Sequence, residues 1–99
     1  SCSLNAGMTC TDFKISRTNI MVTLSNSFDY DTKSVITEAQ NCGYSSVPDL
    51  AKGESKTFTI ACRYPLQGSS YDGVLSVQYT KVNTRMSYSN VGKLEGNIE

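Results

Sequence analysis

Histidine is absent from these 99 residues. Without it the chain lacks the commonest general base and the usual partner of cysteine at zinc. Serine is abundant, but none stands three residues before a lysine, which removes the Ser-x-x-Lys nucleophile. Net charge is also missing, because nine basic and nine acidic residues cancel. The basic residues are scattered, so no tract points to nucleic acid or anionic lipid. Long hydrophobic runs are lacking. The longest span only a few residues, as at Ile20–Val22, and none can cross a bilayer. No Asn-x-Ser/Thr sequon occurs, so N-glycosylation is not indicated. Glycine-rich turns that open a helix are missing, and with them the usual phosphate cradle.

Four cysteines are present: Cys2, Cys10, Cys42 and Cys62. No two of them form a Cys-x-x-Cys knuckle, so a structural zinc site is disfavoured. An even, dispersed count in a short chain reads as two disulfides, which places the protein outside the reducing cytosol. Three pairings are possible. Cys2–Cys10 and Cys42–Cys62 are favoured: Asn5–Gly7 can turn the chain between the first pair, and Cys62 shares a face with Phe58 and Ile60. The chain opens Ser1-Cys2 without Met, which points to a processed or trimmed product.

Apolar residues alternate with polar ones almost everywhere, the pattern of strands with one buried and one wet face. Phe13 and Ile15 share a phase, as do Ile20, Val22 and Leu24. Phe58, Ile60 and Cys62 form a third set, and Leu75, Val77 and Tyr79 a fourth. Met86, Tyr88, Leu94 and Ile98 form the last. The expected core is Phe13, Ile15, Ile20, Val22, Leu24, Phe58, Ile60, Leu75, Val77, Tyr79, Leu94 and Ile98. Polar breaks fall at 26–31, 43–53, 65–70 and 82–85. Within the second, Pro48–Lys52 reads as one short helical turn. Gly92 and Gly96 lie in the inward phase of the last strand, where glycine marks a bulge or a close backbone approach. Residues 1–99 thus read as a single all-β domain, an antiparallel immunoglobulin-like β-sandwich with two disulfides.

Candidate sites are few. Asp29 and Asp31 resemble a fragment of a calcium loop but lack its glycine and bidentate glutamate, so they read as a solvated turn. No metal site, cofactor or catalytic residue is expected, and the chain reads as non-enzymatic. Lys14 and Asn97 have the chain positions of an intramolecular Lys–Asn crosslink, but both are out of phase with the core and should face solvent. Tyr30, Tyr44, Tyr64 and Tyr71 fall in or beside turns and are the candidate interaction surface.

Several segments carry a family resemblance. The stretch Cys2-Ser-Leu-Asn-Ala-Gly-Met-Thr-Cys10-Thr-Asp-Phe-Lys14 resembles the start of the globular head of archaeal type IV pilin-like proteins. Val22–Asn26, Asn41–Gly43, Leu50–Glu54, Thr57–Cys62 and Gly73–Thr80 are similar to later strands and turns of that head. The resemblance implies a β-sandwich head on an extracellular adhesion filament. Its partners would be copies of the same subunit, joined through a hydrophobic N-terminal helix that these residues do not include. Surfaces or glycans are further possible partners; no nucleic acid is expected. The alternative is an immunoglobulin-like binding module of a larger cell-surface protein, recognising a glycan or a protein.

Overall fold

The computed structural model describes every residue from Ser1 to Glu99. Eight strands follow in chain order: β1 Cys2–Ser3, β2 Met8–Ile15, β3 Asn19–Asn26, β4 Thr32–Ala39, β5 Tyr44–Leu50, β6 Ser55–Ala61, β7 Ser70–Lys81 and β8 Ser87–Asn97. One sheet has the order β1-β8-β7-β4-β5 and the other β2-β3-β6, with every pairing antiparallel. The sheets face each other as a sandwich. Because β3 pairs with β6 while β4 pairs with β7, the chain crosses repeatedly between layers, the immunoglobulin-type Greek key. No helix is long and apolar enough to cross a membrane.

Alternation built the layers as expected. Ile15, Ile20, Val22, Leu24, Phe58, Ile60, Leu75, Val77, Tyr79 and Leu94 are all buried. Phe13 and Ile98 are only half-buried, packed against the margin of the core. Met8, Val35, Ala39, Leu50, Leu66 and Tyr71 join the core beyond the expected set. Met86 and Tyr88 are exposed, because they lie at the end of the sandwich, beside the β7–β8 turn. The segment read as a break at 43–53 is instead largely β5, an edge strand. Pro48 sits within it rather than opening a helical turn. An edge tolerates proline because the missing N–H need not feed a ladder.

Both disulfides form as favoured, with Cα–Cα distances of 5.9 Å for Cys2–Cys10 and 4.1 Å for Cys42–Cys62. No cysteine is free. Neither bond runs through the centre of the sandwich. Cys2–Cys10 ties β1 of the larger sheet to β2 of the smaller. Cys42 precedes β5 and Cys62 follows β6, so the second bond closes the other seam. The Gly43 N–H, donating to the Ala61 carbonyl at 2.9 Å, reinforces that closure.

Gly92 meets the close-approach expectation. A β-carbon there would collide with the Ser3 carbonyl oxygen, so glycine is what lets the N-terminal strand lie on β8. Next to it the buried Asn90 side chain replaces a strand partner. Its amide donates to the Asn5 carbonyl at 2.9 Å and accepts from the Asn5 N–H at 2.7 Å. Asn26 plays a similar part under the β3–β4 loop, donating to the carbonyls of Tyr30 and Leu50 and accepting from the Phe28 N–H. Such buried amides are tolerated because each finds partners.

Candidate functional site

The site is best built from the outer face of the five-stranded sheet. In β4, Val35, Thr37 and Ala39 point inward, which turns Ile36 and Glu38 outward. Cross-strand register then fixes their neighbours. Glu38 stands opposite Tyr44 of β5 and Ser76 of β7; Ile36 stands opposite Ser46 and Gln78. Ile36, Glu38, Tyr44, Ser76 and Gln78 line an open depression of about 290 Å³. A second depression of about 190 Å³ shares Ile36 and Gln78 with it and extends along the strands past Ser34, Thr80 and Ser87. Together they make one groove that follows β4 and β7. From Ser76 to Thr80 it runs about 13 Å at the ordinary strand rise.

Two local features shape this groove. The register of β4 against β7 slips between Lys33 and Ile36, a β-bulge, and Ser34 there has a φ of 50°. A left-handed serine is uncommon, and bulges of this kind re-aim side chains. At the other end Tyr44 follows Cys42 of the Cys42–Cys62 crosslink by two residues. Its backbone is therefore held, while the residue as a whole is 68% exposed. The lining carries one carboxylate, one amide, several hydroxyls and no Lys or Arg.

The four tyrosines of the expected interaction surface do not come together. Tyr44 alone reaches the groove. Tyr30 lies beyond the opposite end of β4, stacked on Phe28 at 4.7 Å between centroids and with the Lys81 Nζ 4.6 Å from its ring centre. Tyr64 is exposed after β6 with the Arg63 guanidinium beside it. Tyr71 corrects the expectation: it is buried, and its hydroxyl donates to the Gln40 carbonyl at 2.5 Å. It begins the long β7 rather than decorating a loop. Burial pushes its phenol up, with the neighbouring Asp72 carboxylate adding to the effect. The Tyr79 phenol is pushed up to about 12, first by burial and then by the phenols of Tyr30 and Tyr88.

Four acidic residues, Asp31, Asp49, Glu54 and Asp72, are engaged in structure. Asp31 accepts from the Lys52 N–H at 2.8 Å, which ties the turn before β4 to the turn after β5. Lys56 lies 3.0 Å from Asp49 and 3.7 Å from Glu54, and the hydrogen bond to Asp49 holds its ammonium above its ordinary value. Lys93 is raised likewise by its hydrogen bond to Asp72. Lys14 and Asn97 are exposed, as their phase required. The smaller sheet has its own shallow depression of about 200 Å³, lined by Asp12, Phe13, Lys14, Met21, Thr23 and Thr57. Thr23 and Thr57 are hydrogen-bonded to each other there at 2.8 Å, so part of its polar capacity is already used.

Ile36, Glu38, Ser76 and Gln78 were not singled out by the sequence. One signal was available: Val35 and Ile36 are adjacent, so one of them had to place an apolar side chain on the wet face. Which residues surround it depends on the order β7-β4-β5, and no local pattern gives that order. No protein-family model matches the chain, and no curated protein matches it. Fold and groove together define a disulfide-stapled β-sandwich with an open, aromatic-edged face on which polar side chains surround an apolar floor at Ile36.

Proposed function

We propose that this domain is the outer head of an extracellular filament of the archaeal type IV pilin kind, a non-enzymatic subunit that displays an adhesive face. The observation that carries the reading is the polarity of the domain. Ser1 lies beside Glu95, where its ammonium donates to the Glu95 carbonyl, and β1 is pinned there by the Cys2–Cys10 bond. The groove runs away from that end toward Ser87, about 26 Å farther along β8 at the strand rise. A helix joined ahead of Ser1 would bury itself in a filament and leave the groove outermost. The seam disulfides suit an oxidising exterior. The sequence resemblance supports the same assignment. A second reading, an immunoglobulin-like binding module of a larger surface protein, is favoured by the groove itself and makes the same use of it.

Assembly is assigned to residues outside this domain. The exposed apolar side chains form no broad stripe: Val74 and Val91 make one diagonal pair on the larger sheet, with Lys93 opposite Val74 and Ser76 opposite Val91. Lys14, Lys56, Gln78, Lys93 and Glu95 break up the faces and edges that could otherwise pair. The 99-residue domain should therefore sediment as a monomer at high concentration, and the same head behind a hydrophobic helix should form filaments. Ordered fibres from the domain alone would overturn this assignment.

A further inference from the structure

We propose that the groove on the five-stranded sheet is a carbohydrate site that takes a neutral oligosaccharide. In it Tyr44 is the stacking platform, and Glu38 and Gln78 bind hydroxyl groups. The inference rests on the reading of the domain as a display head, and its test separates the two.

Chemistry selects the ligand class. A face inside a sheet offers no free backbone groups, because its N–H and C=O bonds lie in the plane of the ladder. Strand addition needs an edge, so whatever sits in this groove is read by side chains. Those side chains are an exposed aromatic ring, a planar carboxylate, a planar amide and hydroxyls, around the apolar Ile36 and the edge of Tyr79. A sugar ring presents C–H bonds on its face and hydroxyls around its rim. The first suit a tyrosine ring, and adjacent hydroxyls suit the paired oxygens of Glu38 or the donor and acceptor of Gln78. Register places these groups on a grid of about 4.8 Å across the strands and about 6.7 Å along them. That spacing is too wide for two vicinal hydroxyls and suits contacts to different sides of one sugar ring, each made by a different side chain.

The alternatives fit less well. With no cation in the lining, a phosphate, sulfate or acidic sugar would meet only the Glu38 carboxylate. An apolar peptide or lipid would leave Glu38, Gln78 and the serines without partners, at a desolvation cost. The volume of about 290 Å³ and the open shape suit a ligand that keeps one side in water. Preorganisation is built in. Tyr44 is held by the adjacent Cys42–Cys62 crosslink and by the Gly43–Ala61 hydrogen bond, so less ordering is needed on binding.

The test is an amide chemical-shift titration of the oxidised domain with mannotriose, cellotriose and galactotriose at millimolar concentration, with sialyllactose as an acidic control. At least one neutral sugar should shift amides in Ser34–Glu38, Tyr44–Ser46 and Ser76–Thr80, and the acidic one should bind more weakly. Tyr44→Ala should weaken binding about tenfold or more, roughly 1.4 kcal/mol or above. Tyr44→Phe should retain it, because the ring remains. Gln78→Ala should weaken it, and Tyr64→Ala should leave it unchanged. Tyr44, Gln78 and Tyr64 are all exposed, so the fold should survive each change. The inference is overturned if no neutral sugar shifts these amides, if Tyr44→Ala binds as well as the parent, or if the acidic sugar binds best. Beads coated with the domain provide the separation. Attachment to a polysaccharide surface that survives Tyr44→Ala overturns the groove while leaving the adhesive reading intact. Shifts at the groove without bead attachment keep the site and remove the adhesive reading.

Discussion

Reduction of both disulfides should unfold this domain. The two bonds join residues 8 and 20 positions apart, and each closes one seam of the sandwich. Limiting the freedom of the unfolded chain is worth about 2.6 kcal/mol for the shorter loop and about 3.3 kcal/mol for the longer. Their sum, about 6 kcal/mol, equals the lower part of the usual total of about 5–15 kcal/mol for a small domain. Loosened packing along the seams adds to the cost. Without Cys2–Cys10, β1 is held by a two-residue pairing with β8 and by the hydrogen bonds of Ser1 and Asn5. Without Cys42–Cys62, the start of β5 is held to β6 by little more than the Gly43–Ala61 bond at that end. Alkylation followed by intact mass should find no reactive thiol in the native protein and four after reduction. The reduced, alkylated chain should lose its cooperative thermal transition. Replacing only Cys42 and Cys62 by Ala should cost about 3 kcal/mol. A reduced domain that melts with the oxidised one would show that the seams close without covalent help.

Ile60→Ala should cost about 2–5 kcal/mol. Ile60 is fully buried on β6, opposite Ile20 of β3, where the smaller sheet faces the larger. Truncation removes apolar area and leaves a cavity that two crosslinked sheets cannot easily collapse upon. Thr59→Ala, one residue earlier and exposed, should stay within about 0.5 kcal/mol of the parent. Denaturant midpoints at unchanged slope measure both. Equal effects at the two positions would mean that the inward phase of β6 is wrong.

The sequence was most legible where one face is buried and the other is wet. Ile20, Val22 and Leu24, and again Leu75, Val77 and Tyr79, reveal their strands because each inward position is apolar and each pattern is long enough to fix a phase. Legibility failed at β5. Ser45, Ser46 and Pro48 look like a break, yet an edge strand anchored by Leu50 and a crosslink beside Tyr44 needs little apolar content. It failed at Tyr71 for a related reason. The polar run Gln67–Ser70 suggests a loop continuing past it, while the buried ring and the hydrogen bond to Gln40 come from packing between distant segments. The disulfides were legible because turn residues and phase both bear on them. The groove was not. Its residues come from 34–38, 44, 76–80 and 87, and only the order β8-β7-β4-β5 makes them neighbours.

Whether this domain stands on the outside of a filament can be seen by immunogold electron microscopy. Antibodies raised against the folded, oxidised domain would be applied to unpermeabilised cells that produce this chain. Gold particles should be spaced along extracellular filaments. Tyr44→Ala cells should show the same labelling, since that residue serves the groove and not the assembly. Label confined to the cell interior, or spread over a cell surface that carries no labelled filament, would contradict the assignment.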